Sequence, residues 1–206
     1  MTDRRAFLKQ SLIASVALGS PFSAIQDCDG AICANEQMYL DAVDTIRQRA
    51  RDLGKKGSIA ETLQALLPFE DWAQCALYCS VSDPDADTRL LAVHCMVTDY
   101  QKFDEYLEFF PDLLDHEDPT VNQAVPRLLW RFQAKAKFAI PKLEEHLGDT
   151  RPWFRVSVAK AIGIIEPKML EDVIPIVERS INDPATGDYA RNVLAQMKGE
   201  KPHMGL

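Results

Sequence analysis

The chain has 206 residues, of which 47% are hydrophobic and 26% charged, and its net charge is −8 at pH 7. This length is sufficient for one domain with a buried core, and the apolar content excludes an intrinsically disordered protein. The acidic balance excludes a surface that is basic overall, so we expect no nucleic-acid ligand. The sequence contains no run of eighteen apolar residues, so we expect no ordinary membrane span.

Residues 1–24 have the composition of an export signal. Charged residues occur up to Lys9, a short apolar run follows from Ser11 to Leu18, and small residues surround Ala24. This order is typical of a signal peptide that is cleaved close to Ala24. Removal of the segment takes away three cations and one acid, which leaves 20 Lys and Arg against 30 Asp and Glu and a net charge of −10.

A pair of arginines lies within this segment. The sequence R-R-A-F-L-K resembles the twin-arginine translocation signal, whose pattern is S/T-R-R-x-F-L-K, although Asp3 separates Thr2 from the pair. The resemblance implies export of the folded chain, and therefore a periplasmic or exported location. Proteins of this route often carry a cofactor or travel with a partner that does. The residues that match the pattern are Arg4, Arg5, Phe7 and Leu8.

The five cysteines form two groups along the chain. Cys28 and Cys33 lie in a glycine-containing segment, residues 25–35, and an oxidising compartment permits a disulfide between them. A bond to Cys75 or Cys79 is an alternative that the sequence leaves open.

A second hypothesis for the later cysteines is that they form a zinc site. Cys75 and Cys79 share one helix face, and His94 and Cys95 follow on the next helix. Three thiols and an imidazole are suitable zinc ligands, but their spacing matches no metal motif. We therefore expect small buried side chains here, with no metal and no cofactor.

Apolar residues at helical spacing run through residues 36–198, and strand signals are nearly absent. Each stripe predicts a helix that buries one face against a neighbour. The stripes are Tyr39, Val43, Ile46, Ala50 and Leu53; Phe103, Tyr106, Leu107, Phe110, Leu113 and Leu114; Val121, Ala124, Val125, Leu128, Leu129 and Phe132; and Leu170, Val173, Ile174, Val177 and Ile181.

An aspartate–proline turn recurs between these helices, with spacings of 35, 31 and 34 residues. Aspartate caps a helix start, and proline is favoured at the first helical position. A helix pair that repeats about every 33 residues is the signature of a solenoid. The turns are Asp83-Pro84, Asp118-Pro119, Asp149 with Pro152, and Asp183-Pro184.

Prolines also recur inside the helices. Pro111, Pro141 and Pro175 lie seven or eight residues before three of the aspartates, where each predicts a kink. Pro126 lies in a second helix of the repeat and predicts a break there.

These features resemble HEAT repeats, especially the short HEAT-like repeats of bilin lyases. The matching segments include S-D-P-D-A-D-T-R-L-L-A-V-H-C and G-D-T-R-P-W-F-R-V-S-V-A-K-A-I-G. The resemblance covers about residues 58–197. It implies an all-α, right-handed α-solenoid of about four to five helix pairs over 36–198, followed by a polar tail, 199–206. It implies a scaffold shape and not an activity. Arg89 and Arg155 are expected to reach the aspartate of an adjacent turn.

Trp130 is the candidate partner-binding residue. On a helical wheel it points away from the apolar stripe that is centred near Val121. A tryptophan flanked by arginines is a frequent interface anchor, and it can also receive an anion. The alternative is that Trp130 packs against a neighbouring repeat, as we expect for Trp72 and Trp153. The cations that accompany Trp130 are Arg127, Arg131, Lys135 and Lys160.

Catalytic motifs are absent from the sequence. We find no nucleophile–base pair with an orienting third group. His116 and His146 are expected in solvated rims, and the acidic cluster beside them is explained by helix capping and solubility. We therefore predict a non-catalytic scaffold that binds a periplasmic protein, such as a redox or cofactor-bearing enzyme. The alternative is a cofactor-handling lyase or chaperone. The acidic cluster is Asp112, Asp115, Glu117 and Asp118.

The export signal gives the first testable prediction. Replacing both arginines (Arg4→Lys with Arg5→Lys) should leave the precursor in the cytoplasm, because the translocation receptor reads the arginine pair itself. Immunoblots of cytoplasmic and periplasmic fractions measure the distribution. Unchanged export of the double variant would contradict the assignment.

Overall fold

The computed structural model describes residues 31–52, 59–69 and 71–200. The expected signal segment, Cys28 and residues 201–206 lie outside the described residues. Cys33 belongs to the first described helix, but the side chains of residues 31–36 are not described. The export signal and the Cys28–Cys33 disulfide therefore stay predictions.

The described part of the chain is helical throughout and contains no strand, which confirms the all-α prediction. The α-helices found there are α1 (Ala31–Asp52), α2 (Ile59–Leu66), α3 (Asp71–Ser80), α4 (Ala86–Thr98), α5 (Pro119–Arg131), α6 (Ile140–Glu145), α7 (Pro152–Ile165), α8 (Leu170–Glu178) and α9 (Gly187–Met197). The 3-10 helices are η1 (Leu67–Phe69), η2 (Tyr100–Asp115), η3 (Gln133–Ala139) and η4 (Pro167–Met169).

The chain divides into two compact units, Met1–Thr98 and Asp99–Leu206. In the first unit, α3 packs against α1 and α4, and α4 also contacts α1 and α2. Its fully buried side chains include Ile46, Leu91 and Met96.

The second unit is built around α7. This helix contacts α5, α6, α8 and α9, and nine of its fourteen residues are buried. Each earlier element packs against the α-helix that follows its turn, so that η2 lies on α5, α6 on α7 and α8 on α9. The second helices α5, α7 and α9 also contact one another in chain order.

Gly163 permits the close approach of α8 and α9 to α7. A Cβ atom at this position would lie 2.9 Å from Leu170 Cδ2 and 3.2 Å from Met197 Cε. A larger residue would therefore push the two neighbouring helices away.

The apolar stripe of η2 is buried along its whole length, as its spacing predicts. The type of helix differs, because residues 100–115 form a 3-10 helix with non-helical dihedrals at Phe103. Pro111 lies inside this helix and supplies no backbone donor, which disfavours regular α-helical bonding across it.

The other prolines have different effects. The expectation that Pro126 breaks its helix is wrong, since α5 continues through this buried residue to Arg131. Pro141 lies in the first turn of α6. A backbone N–H at this position has no acceptor within the helix, so the proline costs no helical hydrogen bond. Pro175 lies inside α8, which ends three residues later at Glu178.

The four aspartate turns share one hydrogen bond. In each turn the aspartate Oδ1 accepts from the backbone N–H two residues later, which holds the chain at the start of the next helix. The donors are Asp85 for Asp83 (2.9 Å), Thr120 for Asp118 (2.7 Å), Arg151 for Asp149 (2.8 Å) and Ala185 for Asp183 (3.0 Å). Asp118 is itself the N-cap of α5, as predicted.

A second hydrogen bond closes each turn from the helix side. Arg89 donates to the carbonyl of Asp83 at 2.7 Å, and Arg155 donates to that of Asp149 at 2.6 Å. These bonds give both arginines a structural role in their own turn, whereas the sequence predicts contact with the aspartate of an adjacent turn. The equivalent donors are Asn122 to His116 O (2.7 Å) and Arg191 to Ile181 O (2.5 Å).

Other arginines bind the turn carboxylates. Arg47 Nε lies 2.8 Å from Asp83 Oδ2. The guanidinium of Arg151 bonds both oxygens of Asp149 and also reaches Asn122 Oδ1 at 3.0 Å, which joins the turn to α5. The hydrogen bonds from Arg151 hold the pKa of Asp149 below its ordinary value, although burial opposes this shift.

We therefore expect Asp149→Ala to lower the free energy of unfolding by about 1–3 kcal/mol, because it removes a turn bond and an ionic partner. Urea denaturation at pH 7 measures the change. Asp112→Ala is the control, since Asp112 is exposed and has no turn bond among the described residues.

The same pair predicts a pH dependence. Because the folded pKa of Asp149 is below the ordinary 3.8, its stabilisation is complete well above that pH. It is lost as the pH falls through the folded pKa. The stability difference between the wild type and Asp149→Ala should therefore shrink below about pH 4. A difference that stays constant down to pH 2 would contradict the assignment.

Candidate functional site

The second helices of the Asp99–Leu206 unit can be aligned by the side chain that closes each turn. These side chains are Asn122 in α5, Arg155 in α7 and Arg191 in α9. The register of a residue on these helices, which pack in the order α5, α7 and α9, is its distance in sequence from the donor of its helix.

Two cations occupy the same register. Arg127 and Lys160 each lie five residues after the donor of their helix. Lys160 Nζ is 4.4 Å from the ring centroid of Trp130, which is a cation–π contact. Burial, and then the positive charge of Arg127, lower the pKa of Lys160. Neither cation has a carboxylate partner among the described residues, so their charge is not neutralised within this part of the chain.

Two aromatic side chains occupy a second shared register. Trp153 and Tyr189 each lie two residues before the donor, and their rings stack with centroids 5.2 Å apart. The Tyr189 hydroxyl lies 3.1 Å from Ser157 Oγ. Burial raises the pKa of Tyr189, whereas the hydrogen bond with Ser157 and the charge of Arg127 oppose the rise. The charge of Arg127 therefore acts on both α7 and α9.

These side chains form one surface, which we call the α5–α7–α9 surface. Trp153 is 40% exposed, and Ile164, one turn beyond Lys160 on α7, is also exposed. The surface combines apolar contact area with two cations, an arrangement that suits recognition of an anionic group beside apolar ones. Its members are Arg127, Trp130, Trp153, Lys160, Ile164 and Tyr189.

The structure brings only part of the predicted cationic strip together. Arg127, Trp130 and Lys160 belong to the α5–α7–α9 surface, but Arg131 and Lys135 are directed towards η2. The Arg131 guanidinium lies 5.5 Å from the ring centroid of Tyr100, and Lys135 Nζ lies 2.6 Å from Asp104 Oδ1. The predicted row of Arg127, Arg131 and Lys135 does not continue to Lys135, because α5 ends at Arg131. The next turn has a positive φ of 51° at residue 133, and it interrupts the helical spacing.

The tryptophans also differ from the sequence-based expectations. Trp130 is half-buried, so it combines contact with Lys160 and partial exposure. The sequence predicts packing between repeats for Trp153, and its ring stacks on Tyr189 of the next second helix while 40% of the residue stays exposed. Tyr189 is not among the residues that the sequence patterns predict for the site. An alignment of the helices on their turn donors would have identified both residues, because it places them in one column. Trp72, in α3, is half-buried.

The thiols of the first unit adjoin a tyrosine. Cys75 and Cys79 lie on α3, and Tyr39 lies on α1, which packs against it. A hydrogen bond with Cys75 is the main cause of a lowered pKa of Cys79, with a smaller contribution from Tyr39. Burial, followed by the nearby thiols, raises the pKa of Tyr39. Within the described ranges no three His, Cys, Asp or Glu residues are grouped as a metal site.

The two histidines of the second unit that the structure describes lie at or near the turns. His116 Nδ1 accepts from the backbone N–H of Asp118 at 3.0 Å. The expectation that His146 lies in a solvated rim is wrong, because its ring is half-buried and packs edge-on against Phe154. Asp115, from the acidic cluster, pairs with Lys142, and this hydrogen bond is the main cause of its lowered pKa.

A scan against protein-family models, a search of curated proteins and a search of solved structures each found no match to this chain. Across the residues that it describes, the structure establishes an all-helical protein whose elements pack in sequence along the chain. In the described part of the chain, no helix has both the length and the apolar character needed to cross a membrane.

The lowered pKa of Lys160 gives a stability prediction. At neutral pH its charge is partly desolvated and repelled by Arg127, so the charged form destabilises the fold. We expect Lys160→Met to leave the free energy of unfolding unchanged or to raise it by up to about 1 kcal/mol, since the lost cation–π contact offsets part of the gain.

Urea denaturation at pH 7 measures this effect, and Lys135→Met is the control because Lys135 is paired with Asp104 and exposed. A loss of more than about 1 kcal/mol in Lys160→Met would contradict the view that this charge is destabilising.

Proposed function

We propose that this protein is a non-catalytic, exported scaffold of HEAT-like helix pairs that binds another protein through the α5–α7–α9 surface. Export by the twin-arginine route is supported by the R-R-A-F-L-K motif, and the periplasm is then the compartment of its partner. This export route favours one class of partner, a redox or cofactor-bearing enzyme that is exported in the same way.

The repeat character is supported by the four turns. Each turn has the same aspartate hydrogen bond, and in each a side chain of the following helix donates to a backbone carbonyl of the turn. The packing of α5, α7 and α9 in chain order agrees with a stack of helix pairs. A stack of this kind presents a rigid surface, which lowers the entropic cost of binding.

The observation that carries the proposal is the α5–α7–α9 surface itself. Aromatic residues and arginine are enriched in protein interfaces, where they contribute much of the binding energy. Trp153 is 40% exposed and stacks on Tyr189, and Lys160 lies over Trp130, so three helices contribute to one patch of this composition. The acidic net charge disfavours nucleic acid as the occupant.

The test compares capture of a partner by matched variants. The tagged full-length chain, Trp130→Ala and Trp153→Ala are incubated with periplasmic extract, and co-purifying proteins are identified by mass spectrometry. We expect one protein to be retained by the wild type and reduced at least about tenfold by either variant, as for a truncated interface anchor.

Phe138→Ala is the matched control. Phe138 is 52% exposed in the same unit, but it lies in η3 and outside the α5–α7–α9 surface. It should retain the partner, and circular dichroism should show that all three variants are folded. Equal loss in Phe138→Ala, or no protein retained by the wild type, would refute the proposal. A bound chromophore detected by absorbance would instead favour the cofactor-handling alternative.

A further inference from the structure

We infer that the α5–α7–α9 surface binds an acidic peptide segment of the partner, with a carboxylate held between Arg127 and Lys160 and apolar side chains on either side of it. This inference rests on the proposed function and specifies the chemistry of the partner.

The placement of the two cations is the first argument. Lys160 Nζ lies 4.4 Å from the ring centroid of Trp130, which follows Arg127 by three residues on α5, and neither cation has a carboxylate partner among the described residues. The chain contains 31 acidic residues, and three other cations of the same unit pair with carboxylates, Lys135 with Asp104, Lys137 with Glu166 and Lys142 with Asp115. A carboxylate from a partner would supply the missing counter-charge and relieve the repulsion.

The apolar residues on α7 are the second argument. Trp153 precedes Lys160 by two helical turns and Ile164 follows it by one, and both are exposed on the same face of the helix. At about 1.5 Å per residue, the eleven residues from Trp153 to Ile164 span about 16 Å. An extended peptide covers this distance with about five residues. A central Glu or Asp flanked by apolar side chains therefore fits the surface.

The number and surroundings of the cations favour a carboxylate over a polyphosphate. Nucleic-acid surfaces align many Lys and Arg residues along the backbone that they bind. Here two cations lie in a chain whose net charge is −8, and Arg131 and Lys135 are directed towards η2. Two cations suffice for one carboxylate, and the aromatic rings beside them suit the apolar neighbours of that carboxylate.

The experiment uses fluorescence anisotropy with the full-length chain and two labelled peptides. The first is acetyl-Leu-Ala-Glu-Ala-Leu-amide, and the second carries Gln in place of Glu. We expect the Glu peptide to bind at least about tenfold more tightly at low salt, because only it supplies a charge. The ratio should fall towards one at high ionic strength.

Variants of the cations test whether the preference for the Glu peptide depends on Arg127 and Lys160. Arg127→Gln with Lys160→Gln should abolish the preference for the Glu peptide, and Lys135→Gln should retain it. Equal affinity of the two peptides for the wild type, or no binding of either, would overturn the inference. Inorganic phosphate or a DNA duplex that displaces the Glu peptide where chloride of equal ionic strength does not would also overturn it.

The capture experiment described above tests this inference and the proposed function separately. A partner that is lost in Trp153→Ala but retained by Arg127→Gln with Lys160→Gln would uphold the scaffold and refute the carboxylate contact. If no partner depends on Trp153, the scaffold proposal itself fails.

Discussion

The aspartate turn is the constraint on which the arrangement of the second unit depends. One hydrogen bond from the aspartate holds the chain before the helix, and one from the helix closes the turn. Because a helix has a fixed rotation per residue, this clamp determines which face of α5 and α7 meets the neighbouring helix. The loose C-terminal copy keeps both bonds, although Arg191 lies two residues further from its aspartate than Arg155 does.

The shared register has an electrostatic consequence. Arg127 on α5 and Lys160 on α7 are like charges that repel each other, and Lys160 also lies over the ring of Trp130. The partial burial of Lys160 and its repulsion by Arg127 both disfavour its charged form in the folded protein. The same register stacks Trp153 on Tyr189, which contributes a pairing of about 0.5–1.5 kcal/mol while leaving part of the indole exposed.

Much of the fold could be predicted from the sequence because its causes are local. The helical periodicity predicts the buried stripes of η2 and α5, and Asp118 with Pro119 predicts the start of α5. Two local expectations fail for local reasons. Pro126 is tolerated because a proline can be packed inside a helix whose other bonds persist, and Lys135 leaves the strip because α5 ends at Arg131.

The candidate site was predicted only in part, and the reason is physical. The sequence by itself determined the all-helical class, the position of the turns and the choice of Trp130 with Arg127 and Lys160. The tertiary structure alone decided that Trp153 is exposed and that Tyr189 stacks on it. The packing of α5, α7 and α9 decides which of their side chains meet. The helical periodicity of one segment does not show how a neighbouring helix is rotated against it.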